Sequence, residues 1–292
     1  SQFLDVGGWP MHFVDEGPRD AHSLVMVHGN PSWSYFFRSL VTGLSPRYRC
    51  IVPDHIGMGL SARPDDDAYK YDLSQRVDDL ETLIDACDVS GPITLVLHDW
   101  GGMIGMTYAA RHPERIARLV LLNTGAFRLP VAAHVPWQIR AFRGPLGPLL
   151  IAKFNAFCRG AARFCATTGL SPAERQAYLG PYASWPERRA VLRFVEDIPL
   201  GPEDSAFATV EKVEAGYTQF AHVPTLLLWG LRDFVFTERF LDRFIELLPH
   251  ASVKRFPRGG HYLLEDHPHE TLAAVGAFLD STVAANGQEV PR

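Results

Sequence analysis

The sequence contains seven short apolar runs, and each is followed by a longer polar or mixed segment. They lie at Met11–Val14, Ser23–Val27, Arg49–Val52, Ile93–Leu97, Leu119–Leu122, Thr225–Trp229 and Ser252–Phe256. Several are almost continuously hydrophobic, which is typical of parallel strands covered on both faces. Helical periodicity follows at Asp72–Cys87, Gly101–Arg111, Glu238–Leu248 and Pro268–Ser281. This alternation predicts an α/β fold with a mostly parallel, doubly wound sheet.

One long segment breaks the alternation. From about Thr124 to His222 no convincing strand is visible, and the helical pieces are rich in aromatic residues and interrupted by nine prolines. Open α/β sheets bind ligands at the carboxyl edge of their strands, where an inserted cap would form the lid of a pocket. We therefore predict a first core part at 1–123, a helical cap at 124–222 and a second core part at 223–292. The alternative is an ordinary second layer of helices.

Asp99 stands where a strand is predicted to turn into a helix. The apolar run Leu95–Leu97 stops at His98, and Gly101 and Gly102 open a helical pattern. A sharp turn at such a junction lifts a side chain clear of the backbone and aims the first helical N–H groups at the reaction centre. A carboxylate is a weak nucleophile towards acyl carbon, but it can displace a leaving group from saturated carbon and form an ester. Asp99 is thus a candidate nucleophile, and the alternative is a simple helix N-cap.

An acid and a histidine follow Asp99 in the order expected for a catalytic triad. Asp233 ends a buried strand-like stretch, and His261 follows Gly259 and Gly260 after the last predicted strand. Asp233 would hold His261 in one tautomer and stabilise its charged form, and His261 would activate water or balance charge. A lone histidine after two glycines is more often a surface residue, but three positions in the correct order favour a triad.

Two hydrogen-bond donors lie next to these positions in the sequence. The segment His28–Pro31 directly follows a predicted strand, in the loop that usually supplies an oxyanion-hole amide. Asn30 adds a side-chain NH₂ group, and Trp100 adds an indole N–H that can only donate. Beside a carboxylate nucleophile, two neutral donors could hold a departing anion. The alternatives are a turn-forming asparagine before proline and a packing tryptophan.

Composition argues against several other functions. The net charge is −5 and both signs are scattered, so nothing suggests nucleic-acid binding. The four cysteines form no CxxC pair, which indicates free thiols in a reducing compartment. The twelve histidines form no metal-binding motif, and we expect neither a metal nor another cofactor. No run reaches membrane-spanning length and no signal peptide is visible, so we expect a cytoplasmic location.

Over nearly its whole length the chain resembles the haloalkane dehalogenase branch of the α/β-hydrolases. The matching segments are His28–Pro31, Pro53–Ser61, His98–Gly102, Asp233 and Gly260–His261. The resemblance implies an α/β-hydrolase fold, with Asp99 as nucleophile and with Asn30 and Trp100 binding the leaving group. It also implies that His261 activates water. The strand before the cap ends in Asn123 rather than an acid, so Asp233 is the better catalytic acid, as in the third dehalogenase subgroup.

The chain looks still closer to the β-lactone decarboxylases of bacterial long-chain olefin biosynthesis. This resemblance rests on Leu122–Pro130, Phe154–Ala161 and Arg193–Leu200, in the predicted cap, where substrate choice is expected to be made. It implies a cis-3-alkyl-4-alkyloxetan-2-one substrate, a cis-alkene and CO₂ as products, and assembly with other enzymes of olefin biosynthesis. One departure from a standard nucleophile turn is Leu97, where a small residue is usual.

The side chains of the predicted cap favour an apolar substrate. The candidates for lining a tunnel for two alkyl chains are Phe127, Trp137, Phe154, Phe157, Trp185 and Phe194. We expect more than half of the cap aromatics simply to pack the cap on the core. The cap is also basic, through Arg140, Arg143, Lys153, Arg159 and Arg163. We interpret these as a solvated face, and the alternative is a docking surface for partner enzymes or an anionic membrane.

Several alternative functions stay open at this point. A haloalkane dehalogenase would hydrolyse the ester on Asp99 with water. An epoxide hydrolase would need acid donors in the cap, and Tyr178, Tyr182 and Tyr217 are available. An esterase is disfavoured by the aspartate, and a non-catalytic receptor is disfavoured because all three triad positions are present. For a β-lactone, attack at the ring carbon that bears oxygen competes with attack at the carbonyl.

Overall fold

An eight-stranded sheet forms the centre of the molecule. The computed structural model describes residues 1–89, 91–128 and 135–286. The strands are β1 (Gln2–Val6), β2 (Trp9–Glu16), β3 (Ser23–Val27), β4 (Arg49–Pro53), β5 (Ile93–Asp99), β6 (Ile116–Thr124), β7 (Thr225–Gly230) and β8 (Ser252–Phe256). Their order is β1-β2-β4-β3-β5-β6-β7-β8. The pairs β1–β2 and β2–β4 are antiparallel and the other neighbours are parallel, which confirms the predicted sheet.

All seven predicted strands are present, and β1 is the strand that the sequence pattern missed. Of its five residues only Val6 is buried. A mostly exposed edge strand needs no continuous apolar run, so the signal that identified the inner strands is absent from it.

Helices cover the sheet and fill the long segment between β6 and β7. They are α1 (Arg38–Leu44), α2 (Leu73–Ala86), α3 (Trp100–Arg111), α4 (Trp137–Arg143), α5 (Gly147–Phe154), α6 (Ala156–Phe164), α7 (Pro172–Leu179), α8 (Trp185–Glu196), α9 (Phe207–Ala215), α10 (Glu238–Leu247), α11 (Leu263–Asp266) and α12 (Pro268–Asn286). Short 3₁₀ helices lie at Ser34–Phe37, Pro113–Arg115, Gly180–Tyr182 and Tyr217–Phe220.

The four helices predicted from periodicity are α2, α3, α10 and α12. Helix α2 begins as expected, because the Asp72 side chain caps it by accepting a hydrogen bond from the Gln75 N–H at 2.9 Å. Helix α1 was not predicted. Its sequence contains Ser39, Val41, Thr42 and Gly43, which have low helix propensity, so packing decides its conformation.

Two apolar clusters, one on each face of the sheet, hold β5 in place. Leu95 and Leu97 belong to the cluster that includes side chains of α2 and α3. Val96 belongs to the cluster that includes side chains of α1 and α12. This alternation is the one expected of a strand, and all three side chains are fully buried. The strand that carries Asp99 is therefore fixed from both sides.

Beyond Thr124, which ends β6, the segment predicted to be a cap contains helices α4 to α9 and, within its described residues, no strand. Helix α9 packs against α3, which lies on the sheet. The cap boundaries at 124 and 222 stay a prediction. Residues 129–134 of the cap, with the end of the Leu122–Pro130 segment, lie outside the described residues, as do residues 287–292 of the second core part.

A buried ion pair joins the segment predicted to be a cap to helix α2. The Arg76 guanidinium on α2 donates to Asp197, just beyond α8, at 2.9 Å, and it also lies 3.7 Å from the centre of the Phe194 ring. Both charged side chains are at least 94% buried. Removal of one partner would leave a buried charge uncompensated, which is strongly unfavourable.

Asp197→Asn is therefore expected to lower the free energy of unfolding by about 3 kcal/mol, measured by urea denaturation. The control is Glu246→Gln, which removes an exposed partner of Arg243 and should change stability by less than about 0.5 kcal/mol. Equal, small effects of both substitutions would show that the buried pair does not hold the cap.

Candidate active site

The Asp99 backbone forms a strained turn between β5 and α3. Its φ and ψ are 52° and −126°, a conformation that side-chain-bearing residues rarely adopt. Close backbone approach makes this turn possible, because a Cβ atom at Gly101 would lie 1.9 Å from the Val27 carbonyl oxygen. The Thr124 hydroxyl donates to the Asp99 carbonyl at 2.5 Å and ties the turn to the end of β6. The structure thus presents Asp99 in the geometry of a nucleophile turn.

Leu97 fits into this turn because a glycine faces it. A Cβ atom at Gly105 of α3 would lie 2.3 Å from the Leu97 Cδ2 atom. The absence of a side chain at Gly105 therefore makes room for the larger residue at position 97. Leu97 is larger than the residue usual at this position, and the glycine at position 105 compensates for its size.

The Asp99 carboxylate is buried, and hydrogen-bond donors partly stabilise its charge. Its Oδ1 atom accepts from the Asn30 backbone N–H at 2.6 Å. Its Oδ2 atom lies 3.6 Å from Nε2 of His261. Burial raises the pKa of Asp99, while the charge on His261 and the backbone N–H groups of Trp100 and Asn30 act in the opposite direction. Oδ1 is therefore held by the Asn30 backbone, whereas Oδ2 faces His261.

Asp233 and His261 form the second half of the site. Nδ1 of His261 is hydrogen-bonded to Oδ2 of Asp233 at 2.8 Å. The other oxygen of Asp233 accepts from the Val235 N–H at 2.7 Å. Burial lowers the pKa of His261, but the charges of Asp233 and Asp99 and the hydrogen bond to Asp233 together raise it by more. The net shift is therefore upward. The structure therefore brings the three predicted triad residues together, with His261 between the two carboxylates.

Asn123 holds the Asp233 carboxylate in position, a role that sequence reasoning did not assign. Its Nδ2 atom donates to Asp233 Oδ2 at 3.0 Å and to the Gly230 carbonyl at 3.1 Å. Its Oδ1 atom accepts from the Gly230 N–H at 2.8 Å. The available signal was a polar residue at the end of β6, next to the strand that ends before Asp233. Asn123 thus links the two ends of these strands.

The two predicted donors, Asn30 and Trp100, lie beside Asp99. Nδ2 of Asn30 donates one hydrogen bond to the Val191 carbonyl of α8 at 3.1 Å, which leaves its second N–H available. Among the described residues, no acceptor is bonded to the indole N–H of Trp100, whose ring packs edge-on against Phe194 at 5.3 Å. Two N–H groups are therefore free to bind an anion close to the carboxylate.

Two apolar cavities meet at Asp99. The smaller, of about 100 Å³, contains Trp100, and the larger, of about 690 Å³, contains His261. Among the residues that line both are Asn30, Ile139, Phe157 and Val235. Sequence reasoning missed several apolar lining residues of the smaller cavity, among them Met103, Phe236 and Phe240. The spacing of Phe236 and Phe240 by four residues, shortly after Asp233, was the available signal.

The predicted lining residues divide into two groups. Phe127 lines the smaller cavity, Trp137 the larger and Phe157 both. The prediction is corrected for the other three. Phe154 is 59% exposed on the outside, Trp185 packs on the core, and Phe194 is fully buried behind Trp100. The direction in which each cap helix faces, which periodicity over seven to twelve residues cannot give, decides these positions.

The tyrosines considered as acid donors for epoxide opening lie elsewhere. The hydroxyl of Tyr178 donates to Glu265, that of Tyr182 to the Ser32 carbonyl, and that of Tyr217 to the Ala126 carbonyl. None of the three lines either cavity among the described residues. The geometry gives no support to the epoxide hydrolase alternative.

The pH dependence of any reaction at Asp99 has a definite sign. Protonation removes the nucleophile, so kcat/KM is expected to fall as the pH falls through the pKa of Asp99. Because burial raises that pKa, the fall should begin above the pH range of an exposed aspartate. In His261→Ala it should begin at still higher pH, since the histidine charge favours ionised Asp99. The pH profiles of both proteins test this, and an acid limb that stays in place or moves to lower pH in the variant would contradict it.

Comparison with known proteins gives consistent results. A family model described as the α/β-hydrolase fold matches residues 22–268. Cis-3-alkyl-4-alkyloxetan-2-one decarboxylase from Shewanella oneidensis is 49% identical over 282 residues, which are 96% of this chain and 88% of the relative. The protein of the same name from Xanthomonas campestris pv. campestris is 48% identical over 284 residues, or 95% of each chain. A crystal structure of a haloalkane dehalogenase loop variant from Bradyrhizobium elkanii has a TM-score of 0.87 at 28% identity, with 99% of both chains covered.

Proposed function

Because the chain belongs to the α/β-hydrolase family, within the group of the cis-3-alkyl-4-alkyloxetan-2-one decarboxylases and the more distant haloalkane dehalogenases, we propose that it decarboxylates such β-lactones. The products would be a cis-alkene and CO₂. One observation carries this proposal: Asp99, a buried carboxylate on a strand-to-helix turn, lies where two apolar cavities meet. A β-lactone with one alkyl chain on each of two adjacent ring carbons matches that arrangement, because each chain can enter its own cavity.

The first step is attack by Asp99 on the ring carbon that bears oxygen. A bond forms between Oδ2 and this carbon, and the bond from carbon to the ring oxygen breaks. The electron pair of the broken bond stays on the ring oxygen, which becomes part of a carboxylate still attached through the neighbouring carbon. The N–H groups of Asn30 and Trp100 are placed to stabilise this charge as it develops. Attack from behind inverts the configuration of the carbon.

The second step releases the products. The bond between the neighbouring carbon and the carboxylate breaks, and its electron pair forms the double bond. The ester bond to Asp99 breaks at the same time and returns its electron pair to the aspartate. Inversion followed by anti elimination converts a cis-lactone into a cis-alkene. No proton or water is consumed, so the apolar cavity serves the reaction by keeping water from the ester.

His261 has an electrostatic role in this mechanism. Its ring lies between Asp233 and Asp99, and its charge favours the ionised form of Asp99 against the effect of burial. In a haloalkane dehalogenase the same histidine would activate water to hydrolyse the ester. That second candidate function is favoured by the free N–H group of Trp100, which would suit a halide. Both functions begin with an ester on Asp99, and they differ in the substrate that forms it and in its later fate.

The two cavities suit a small-molecule substrate. Among the described residues no helix is both long and apolar enough to cross a membrane. The cytoplasmic location and the assembly with other enzymes of olefin biosynthesis belong to this proposal. We infer the location from the free thiols and the sequence pattern, and the assembly from the resemblance.

Product analysis tests the proposed function. The purified protein is incubated separately with a long-chain cis-β-lactone, a 1-bromoalkane and a terminal epoxide, each beside an enzyme-free control. We expect cis-alkene and CO₂ in equal amounts from the lactone, at a rate far above the control. Bromide or diol released at a higher kcat/KM than the alkene would overturn the proposal and identify the alternative.

A further inference from the structure

The outer side of the cap exposes an unusual amount of apolar surface. Of the seven large hydrophobic side chains exposed among the described residues, five lie on α4, α5 or α6 or directly before α5. They are Trp137 (74% exposed), Leu146 (65%), Leu149 (44%), Phe154 (59%) and Phe164 (64%). Contiguous exposed apolar patches mark interaction sites in most proteins. We call these five residues, together with the basic side chains named below, the cap face.

The apolar part of the cap face surrounds the mouth of the larger cavity. Trp137 and Phe164 line this cavity although both are mainly exposed, so they lie at its rim. Leu146, the residue directly before α5, is spaced by four residues from Leu150, and Leu150 by four from Phe154, so the three share one side of the helix. Leu150 also lines the cavity. The exposed side chains and the cavity entrance therefore belong to one surface.

The cap face carries basic side chains and no acidic ones. The sequence contains no acidic residue between Glu114 and Glu174, although the net charge of the chain is −5. Exposed basic side chains of α4 to α6 are Arg140, Lys153, Arg159 and Arg163. Within the described part of the chain none of these four is paired with a carboxylate, whereas Arg143, which is half-buried, pairs with Asp204. The cap face is thus a cationic surface without internal counter-charges.

We propose that the cap face binds the surface of an anionic lipid bilayer. The aromatic and leucine side chains would enter the boundary between headgroups and acyl chains, and the arginines and lysine would bind the headgroup phosphates. This combination is typical of proteins that lie on a membrane, and the charge complements acidic lipids specifically. The larger cavity would then open towards the bilayer, so that an apolar molecule could pass between them without crossing water. The inference does not depend on which apolar substrate the site takes.

Vesicle sedimentation tests this inference on the whole protein. Vesicles of phosphatidylcholine alone are compared with vesicles that contain 30 mol% phosphatidylglycerol, each in low and high salt. Binding is expected to the phosphatidylglycerol vesicles, with at least tenfold less to phosphatidylcholine, and it should weaken as salt rises. Each basic side chain at a bilayer surface contributes about fivefold to the partition coefficient. Arg159→Gln/Arg163→Gln should therefore lower binding about 25-fold.

Two further variants separate the apolar contribution to vesicle binding from a general effect of charge. Leu146→Ser/Phe154→Ser removes apolar contacts of residues that line neither cavity, and it should also weaken binding at least tenfold. The control Lys70→Gln/Lys212→Gln makes the same charge change at exposed positions outside the cap face and should bind like the unchanged protein. Absence of binding, or equal loss in the control, would overturn the proposal. Self-association or protein capture that disappears in the cap-face variants, without vesicle binding, would overturn it in favour of a protein partner.

Discussion

Asp99→Asn is expected to lower kcat for alkene formation by about 10⁴-fold or more, because it removes the atom that bonds to the substrate. The asparagine oxygen can still accept the hydrogen bond from the Asn30 N–H, so the turn at the end of β5 should be preserved. The rate is measured as alkene released from a cis-β-lactone. Asp99→Ala, measured beside it, excludes recovery of activity through deamidation of the asparagine.

A matched carboxylate elsewhere makes the result specific. Asp78 is an exposed ion-pair partner of Arg111 and lines neither cavity. Asp78→Asn should therefore leave kcat within twofold of the value for the unchanged protein. The unfolding midpoints of all variants show whether each is folded. A folded Asp99→Ala protein with more than about a hundredth of the original activity would show that another group is the nucleophile.

His261→Ala is expected to separate alkene formation from ester hydrolysis. For a cis-β-lactone, turnover should continue at a rate lowered by about 10- to 100-fold, because the variant loses the charge that favours ionised Asp99 but still needs no water. For a 1-bromoalkane, turnover should stop after at most one bromide per active site, because no base remains to activate water. The expected loss of halide hydrolysis is about 10⁴-fold.

Burst measurements distinguish these outcomes. The amounts of alkene and bromide released are compared with the concentration of active sites over time. If His261→Ala releases only one alkene per site and accumulates a stable ester, then the β-lactone reaction needs the histidine as a base and the proposed mechanism is wrong. Glu81→Gln, which removes a half-buried partner of His112, serves as the control and should leave both reactions unchanged.

The parts of the fold that follow from local pattern were predictable. Strands such as β3, β5 and β7 are buried on both faces, so their hydrophobicity is continuous and their positions follow from it. Strand β1 and helix α1 lack such a signal, since β1 lies at an edge and α1 is formed by packing. The predicted triad positions could be found for the same reason: Asp99 ends β5, and Asp233 and His261 follow β7 and β8. The carboxyl ends of parallel strands meet at one edge of the sheet.

The parts that depend on distant contacts were not predictable. Leu97 packs where Gly105 has no side chain, and Asn123 donates a hydrogen bond to Asp233. The proximity of these residues follows only from the folded structure. In the cap, Phe154 and Phe157 differ by three positions, yet one is exposed and the other lines both cavities. A break at Asn155, where the backbone is left-handed, separates their helices and turns the two side chains in different directions.

The most direct test of the account is the stereochemistry of the ester trapped on the enzyme during a single turnover. A cis-β-lactone is mixed with excess protein and quenched with acid within milliseconds, and the peptide that contains Asp99 is isolated and hydrolysed in base. We predict an adduct with the full mass of the lactone on Asp99, which releases a 3-hydroxy acid inverted at the carbon that bears oxygen. Release of the uninverted diastereomer would show attack at the carbonyl, and an adduct on any other residue would remove Asp99 from the mechanism.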